Sequence, residues 1–403
     1  MRAVAATTIT DLGTLPGHTN RDTARSNAPG TIIDQPPPPP PPPSSPGHAV
    51  RWDQAGSITD LGTLGGSYSD TAGINDDGTI IGTASTASGD THAVRWDQAG
   101  SITDLGTLPG GSYSAAAGIN PHGTIIGQAN TAGDHYHAVR WDQAGSITDL
   151  GTLGGSSSYA VGINTDGTIV GWADTASGQY RYRAVRWDSA GRMTDLGTLP
   201  GGSSSAAVGI NDDGMIIGHA TTASGQFHAV RWDRAGRIAD LGTLGGSSSY
   251  TVGINAHGTI IGHATTAGDQ LHAVRWDRAG WITDLGTLSG HSSYTVGINA
   301  HGTIIGQADT ASGHYRAVRW DRAGRIADLG TLPGSSDSYA VGINAHGTII
   351  GQADTASGHY RAVRWDRAGR ITGLGTLGGR ESYAVGINTD GTIVGWADVV
   401  KSQ

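Results

Sequence analysis

The chain repeats a pattern of four short apolar segments. Apolar and polar residues alternate in the first and third segments, whereas Ile260 and Ile261 of the second are adjacent, so both faces of the unit are apolar. Three-residue connections ending in glycine join the first segment to the second and the third to the fourth, as tight hairpins require. The pattern predicts a four-stranded antiparallel unit covered on both faces by its neighbours. The clearest copy has its segments at 250–255, 259–263, 273–277 and 282–288.

The unit recurs with a period of about 45 residues. The segment Asp-Leu-Gly-Thr-Leu occurs eight times from Asp11 onwards, and a ninth copy has Gly373 in place of the aspartate. We therefore predict an all-β chain that forms one closed β-propeller domain over 1–403, with nine four-stranded blades. Eight blades is the alternative, because propellers usually have about four to eight. The tryptophans of the repeated Ala-Val-Arg-Trp motif lie at Trp52, Trp96, Trp141, Trp187, Trp232, Trp276, Trp320 and Trp365.

The two ends of the sequence complement one another. The last unit contains two strands, the second of which ends near Trp396. Residues 2–4 and 9–15 resemble the third and fourth strands of the repeat. We expect these N-terminal strands to complete the last blade, because the pairing would remove the exposed sheet edges of an open array.

The first repeat contains a proline-rich segment at 35–47, with eight consecutive prolines from Pro36 to Pro43. Proline lacks an amide donor, so the run predicts an exposed polyproline II loop rather than a strand. Two interpretations stay open: a spacer, or a ligand for an aromatic-lined groove that binds proline-rich segments.

Composition narrows the classes of function. The net charge of −9 is spread thinly, without the basic stripe that nucleic-acid binding requires. The absence of cysteine excludes disulfides and thiolate metal sites. No apolar run is long enough for a signal peptide or a membrane span. We expect a monomeric protein with neither a nucleic-acid partner nor membrane insertion.

Histidine occupies one repeated position in the turn after Gly-Ile-Asn. Other copies carry aspartate there, as at Asp77 and Asp213, and both residue types suit a solvated turn. The histidines are candidate contacts for a ligand on the rim of the propeller. A shared metal is not expected, since adjacent blades hold such turns too far apart for one coordination sphere. The candidate residues are His122, His257, His301 and His346.

Two other repeated residue types have structural interpretations. The aspartates of Asp-Leu-Gly-Thr-Leu resemble a carboxylate ring for a cation, but aspartate beside glycine commonly accepts hydrogen bonds from its own turn. The repeated tryptophans could stack on sugars, yet their pattern favours packing between sheets. Trp172, Trp281 and Trp396 stand where other copies have polar residues, and we expect them to be partly exposed.

The duplication of the repeats argues against an enzyme. Residues 296–326 are identical to 341–371, and catalytic propellers need unlike groups around one mouth rather than many equivalent ones. We predict no catalytic residues and no cofactor. The expected function is a non-enzymatic scaffold or multivalent binding module for a polysaccharide or a protein. A propeller lyase or hydrolase, and a purely structural protein, are the alternatives.

The motifs His-Ala-Val-Arg-Trp, Asp-Leu-Gly-Thr-Leu-Gly-Gly, Gly-Ile-Asn and Gly-Thr-Ile-Ile-Gly resemble the HAF repeat family of bacteria over nearly the whole chain. The resemblance implies an extracellular repeat protein and supplies no catalytic residues. Valine stands here where the family name has phenylalanine, as at Val274, and arginine replaces the opening histidine at Arg183, Arg316 and Arg361. The lack of a signal-peptide pattern departs from the extracellular implication.

Overall fold

The computed structural model describes residues 47–176 and 181–399, which form eight antiparallel sheets of four strands each. Each sheet is one blade of a β-propeller, and the blades are numbered 1 to 8 from the one that begins at Gly65. Strands are numbered first to fourth in their order within the sheet. In blades 1 to 7 this is also the order along the chain.

The first strands are Gly65–Ile74, Ser114–Ile119, Gly154–Ile163, Ser205–Ile210, Gly245–Ile254, Ser293–Ile298, Ser338–Ile343 and Gly378–Ile387. The second strands are Ile80–Thr86, Ile125–Asn130, Ile169–Thr175, Ile216–Thr221, Ile260–Thr266, Ile304–Asp309, Ile349–Asp354 and Ile393–Val399. The third strands are Thr91–Trp96, Tyr136–Trp141, Tyr182–Trp187, Phe227–Trp232, Leu271–Trp276, Tyr315–Trp320, Tyr360–Trp365 and, in blade 8, Gly47–Trp52. The fourth strands are Ile102–Asp104, Ile147–Asp149, Met193–Asp195, Ile238–Asp240, Ile282–Asp284, Ile326–Asp328, Ile371–Gly373 and, in blade 8, Ile58–Asp60.

The prediction of nine blades is wrong for the described residues, and the alternative of eight is confirmed. Blade 8 combines strands that are distant in sequence, since Gly47–Trp52 pairs with Ile393–Val399. The third and fourth strands of this blade are therefore not residues 2–4 and 9–15, as predicted, but Gly47–Trp52 and Ile58–Asp60. The copy counted from Asp11 and the proline-rich loop at 35–47, except Gly47, lie outside the described residues.

The order of the strands gives each blade an inner edge and two ends. The first strand of every blade contacts the first strands of both neighbouring blades, so these strands form the inner edges of the blades. Hairpin turns between strands one and two, and between strands three and four, lie at the same end of an antiparallel sheet. We call this end of the propeller the turn face. The opposite end, which carries the connections between strands two and three and between blades, is the loop face.

The hydrophobic core lies between adjacent blades. Trp276, Ile260 and Val274 of blade 5 pack against Ile217 and Ala229 of blade 4. All eight tryptophans of the Ala-Val-Arg-Trp motif are buried, as predicted. Burying a tryptophan removes roughly 150–250 Å² from water, which at about 25 cal/mol per Å² favours blade packing by about 4–6 kcal/mol before entropy is counted.

Polar groups of the same motif bond across the blade borders. In seven blades the indole Nε1 donates to a leucine carbonyl of the preceding blade, as Trp276 does to Leu241 at 2.8 Å. In all eight blades the alanine amide donates to a serine Oγ of the following blade, as Ala229 does to Ser249 at 2.9 Å. These polar groups of the motif therefore connect each blade to its neighbours.

The arginine of the motif and the asparagine of Gly-Ile-Asn connect the blades on the turn face. Each of the eight arginines donates to a backbone carbonyl in the turn between strands three and four of the next blade, as Arg275 does to Arg322 at 2.8 Å. Asparagine Nδ2 atoms donate to the equivalent asparagine carbonyl of the next blade at seven borders, at 3.2–3.5 Å. Asn255 also accepts from Thr259 N through Oδ1, so one side chain holds its own turn and the neighbouring blade.

The border between blades 8 and 1 carries the same bonds as the other borders. Ala49 N donates to Ser69 Oγ at 2.9 Å, and Asn388 Nδ2 donates to the Asn75 carbonyl at 3.5 Å. Trp96 Nε1 donates to Leu61 O at 2.8 Å. Within residues 47–176 and 181–399 there is no helix of the length and apolarity needed to cross a membrane.

Candidate functional site

Most repeated polar residues have structural partners, so they are poor candidates for ligand contacts. In five blades a third-strand histidine places Nδ1 2.8–2.9 Å from a fourth-strand aspartate, as His228 does with Asp240. The aspartate Oδ1 also accepts the amide of the glycine two residues later, as from Gly242 at 2.8 Å. These aspartates cap turns on outer strands, and they do not form a carboxylate ring around the axis.

The four predicted histidines all lie exposed on the turn face. They do not form one cluster, because three occupy the adjacent blades 5, 6 and 7 and the fourth, His122, belongs to blade 2. Among the described residues, no three histidine, aspartate or glutamate side chains meet in a way that could hold a metal ion. The three adjacent histidines are His257, His301 and His346.

An exposed arginine accompanies each of the three adjacent histidines. It is the second residue of the turn between strands three and four, and in blade 6 Arg322 Nε donates to the backbone carbonyl of His301. We call these six residues the basic crescent: His257, Arg278, His301, Arg322, His346 and Arg367.

Charge on the turn face is uneven around the propeller. Glutamine replaces the crescent arginine in three adjacent blades, at Gln54, Gln98 and Gln143. Blades 8 and 1 also carry aspartate at the histidine position, at Asp390 and Asp77. One side of the turn face is therefore basic and the other acidic, although the whole chain has a net charge of −9.

A cleft of about 730 Å³ opens on the turn face where blade 7 meets blade 8. Blade 7 contributes His346, Arg364 and Arg370, and blade 8 contributes Gln54 and Asp390. Arg364 Nη1 donates to the Gln54 carbonyl at 2.9 Å, and Arg370 Nε pairs with Asp366 Oδ2, which also lines the cleft, at 2.6 Å. The cleft lies at the end of the basic crescent and carries both arginine and aspartate side chains.

The three exceptional tryptophans differ in exposure. Trp281, in a turn between strands three and four of blade 5, is 76% exposed, as expected. Trp172 is half-buried, whereas Trp396 is only 1% exposed, so the expectation for Trp396 is wrong. Its indole fills the space above Gly47, where a Cβ would come within 1.9 Å of the ring. Blade 7 carries Tyr360 at that third-strand position, and glycine here makes room for the larger second-strand side chain.

An inner layer of first-strand and second-strand side chains lies near the loop face. These side chains differ from blade to blade, and the sequence analysis did not identify them. At paired positions of the first and second strands, Asp70 faces Thr83 in blade 1, whereas Tyr250 faces His263 in blade 5. Burial raises the pKa of Asp70 to about 6, against hydrogen bonds from Thr71 N and the Tyr68 hydroxyl that lower it. Burial lowers the pKa of His263 to about 4.

Aromatic pairs fill four of the eight blade borders of the described residues, just outside this layer. The first residue of a third strand meets the first-strand tyrosine of the next blade, with ring centroids 5.9–6.4 Å apart. Such contacts stabilise packing by about 0.5–1.5 kcal/mol beyond burial. The pattern is interrupted in blade 1, where Thr91 replaces the aromatic residue. The pairs are Tyr136–Tyr159, Phe227–Tyr250, Tyr315–Tyr339 and Tyr360–Tyr383.

Comparisons with solved structures show the fold alone. The chain is similar to dipeptidyl peptidase 4 from Porphyromonas gingivalis, at 10% identity and a TM-score of 0.51, over 82% of this chain and 60% of that one. The β-propeller domain of the Trilobed protease from Pyrococcus furiosus gives 11% identity, coverage of 74% and 92%, and a TM-score of 0.49. TolB from Acinetobacter baumannii gives 14%, 79% of each chain, and 0.41.

No protein-family model matches the sequence, and no curated protein does. The resemblance to HAF repeats therefore stays a prediction. The chain spans about three fifths of the peptidase that it matches, and at 10% identity nothing about that enzyme's activity transfers to this protein.

Proposed function

We propose that the protein is a non-enzymatic, multivalent binding module for an acidic polysaccharide, and that the basic crescent is its contact surface. The observation that carries the proposal is the repetition of one exposed histidine and one exposed arginine on three adjacent blades. Equivalent sites at a regular spacing suit a polymer with regularly spaced carboxylates. Several weak contacts then combine into tight binding.

The chemistry of the surface favours an anionic ligand over a neutral one. Guanidinium groups bind carboxylates and sulfates through paired hydrogen bonds, and the exposed guanidinium groups of Arg322 and Arg367 offer such contacts. Exposed Trp281 lies in a turn of the same three blades and can stack on the apolar face of a sugar ring. The HAF resemblance implies an extracellular protein, which fits a polysaccharide partner.

The test is equilibrium binding to alginate and polygalacturonate, with neutral dextran and duplex DNA as comparisons. We expect saturable binding to the acidic polysaccharides, weaker binding at 300 mM than at 50 mM salt because exposed charges are screened, and none to dextran. Preferential binding to DNA would assign the crescent to nucleic acid instead. Failure to bind either acidic polysaccharide would overturn the proposal and favour a purely structural protein.

The chain itself supplies matched variants. Arg322→Gln and Arg367→Gln copy the residues of blades 8, 1 and 2, so the turns should fold normally. Each should weaken binding about two- to fivefold, since an exposed charge contact contributes up to about 1 kcal/mol. The converse change Gln98→Arg should leave binding unchanged or strengthen it. Equal affinity of the double arginine variant and the native protein would contradict the assignment.

We also propose that the eight blades close into a ring in solution, which keeps the crescent rigid. The bonds between blades 8 and 1, such as Ala49 N to Ser69 Oγ, support the proposal. If this border is closed, Ser69→Ala should lower the free energy of unfolding as much as Ser382→Ala does at the border of blades 7 and 8, where Ser382 Oγ accepts from Ala362 N. A harmless Ser69→Ala beside a costly Ser382→Ala would indicate an open ring.

A further inference from the structure

We propose that blade 1 carries a second, single-copy binding site on the loop face, which takes a neutral sugar. The site is a cavity of about 410 Å³ between the start of the first strand and the connection of strands two and three. It is separate from the basic crescent, which lies on the turn face. The proposal therefore stands or falls independently of the acidic-polysaccharide function.

The cavity lies where blade 1 has Thr91 and Ser85 in place of the larger Tyr136 and Asn130 of blade 2. In blade 2, Tyr113 makes an edge-to-face contact with Tyr136, with ring centroids 5.7 Å apart. Blade 1 has the matching Tyr68, but Thr91 occupies the position of Tyr136. Without the second ring, space is left beside the Tyr68 phenol, and both Tyr68 and Thr91 line the cavity.

The lining suits a polyhydroxylated ligand. Hydroxyl groups of Ser67 and Thr91 line the cavity together with those of Ser85, Thr86 and Ser88, which are hydrogen-bonded within blade 1, and no charged side chain lines it. Hydroxyls both donate and accept, which matches the alternating donors and acceptors of a sugar.

Tyr68 is the residue that would orient the ligand. Its hydroxyl donates to Asp70 Oδ2 at 3.3 Å, so the phenol oxygen offers its lone pairs to a ligand hydroxyl. Its backbone is held by Ser85, whose Oγ accepts from Tyr68 N at 2.9 Å and donates to Tyr68 O at 3.0 Å. Its ring can also stack on the C–H face of a sugar.

Asp70 is particular to blade 1. The other seven blades have alanine or tyrosine at this first-strand position, including Ala115 in blade 2. A half-buried carboxylate is costly to retain without a partner, and its partners here are Thr71 N at 2.7 Å and the Tyr68 hydroxyl. Asp70 does not line the cavity, so we assign it as a positioning residue that fixes the direction of the Tyr68 hydroxyl.

The experiment is calorimetric titration with a panel of neutral mono- and disaccharides: glucose, galactose, mannose, maltose and cellobiose. We expect one of them to bind saturably with one site per chain. Thr91→Tyr should abolish that binding, because it restores the ring contact that fills the space in blade 2. The double change Thr91→Tyr with Asp70→Ala gives two positions the residues that blade 2 carries, Tyr136 and Ala115, and serves where the single variant fails to fold.

Asp70→Ala alone separates positioning from packing. It should weaken sugar binding about tenfold, while Asp70→Asn, which keeps an acceptor for the Tyr68 hydroxyl, should restore most of the affinity. Arg234→Gln, at an exposed arginine on the turn face outside the basic crescent, is the control and should leave sugar binding unchanged. Absence of saturable binding to every sugar of the panel, or undiminished binding by a folded Thr91→Tyr variant, would overturn the proposal.

Discussion

Replacing His263 with glutamine should make the protein more resistant to acid. His263 lies in the inner layer with its ring 5.6 Å from that of Tyr250 and 6.2 Å from that of Tyr294, measured between centroids. Its Nδ1 atom is buried and has no hydrogen-bond partner among the described residues. Burial disfavours the charged imidazolium and lowers the pKa of His263 to about 4, and a protonated His219 acts in the same direction.

The size of the effect on stability follows from the lowered pKa of His263. In the unfolded chain a histidine titrates near 6.5, so between pH 6.5 and 4 the unfolded state binds a proton that the folded state does not. Stability is therefore unaffected above pH 7 and falls as the pH is lowered through this window. The pKa of His263 is lowered by about 2.5, which corresponds to a loss of about 3 kcal/mol in the free energy of unfolding at pH 4. His219 in the next blade has the same shift, also to about 4, caused by burial.

Urea unfolding at pH 8, 6 and 4.5 measures the effect. The variant with His219→Gln and His263→Gln should lose much less stability on acidification than the native protein. Glutamine suits the position, since Gln307 Nε2 donates to Ala340 O at 3.0 Å from the equivalent place in blade 6. His301→Gln, in an exposed turn, is the control. Parallel losses in the native protein and the double variant would refute the role of burial.

Three further changes have defined outcomes. Asp70→Asn should stabilise the protein by about 3 kcal/mol at pH 8 and by nothing below pH 4, because the raised pKa makes ionisation costly as the pH rises from 4 to 6; urea titrations at both pH values would show this. Ser249→Ala should cost about 2 kcal/mol or more, since the Ala229 amide and the Gly242 carbonyl both lose a buried partner; thermal unfolding would measure it. Trp281→Ser should change stability by less than about 0.5 kcal/mol, because the side chain is exposed and three other blades carry serine there.

The strands could be predicted from the sequence because their signals are local. Adjacent Ile260 and Ile261 indicate a sheet that is apolar on both faces, and both residues are fully buried.

The predicted number of blades was wrong for a different reason. A motif such as the one at Asp11 identifies a strand but not the sheet that it joins, and in blade 8 the pairing of Gly47–Trp52 with Ile393–Val399 joins residues more than 300 positions apart.

The candidate histidines show the limit of reasoning from one repeat. The sequence predicted that all four lie in exposed turns, and the structure confirms this. Their grouping depends on which blades are adjacent and on the arginine that lies beside each turn. His301 and Arg322 are 21 residues apart and meet only because strands one to four fold back as a sheet. The alternation of apolar and polar residues within a strand does not predict that contact.

Comparison of the copies with one another separates two kinds of residue. Trp276, Arg275 and Ser249 recur in every blade and are bonded across a blade border, so the packing of identical units accounts for their repetition. Thr91 and Asp70 break the repeat at places where a tyrosine or an alanine would pack equally well, as blade 2 demonstrates. Since packing does not require these exceptions, the positions where an otherwise uniform propeller departs from its own pattern are where binding specificity should be sought.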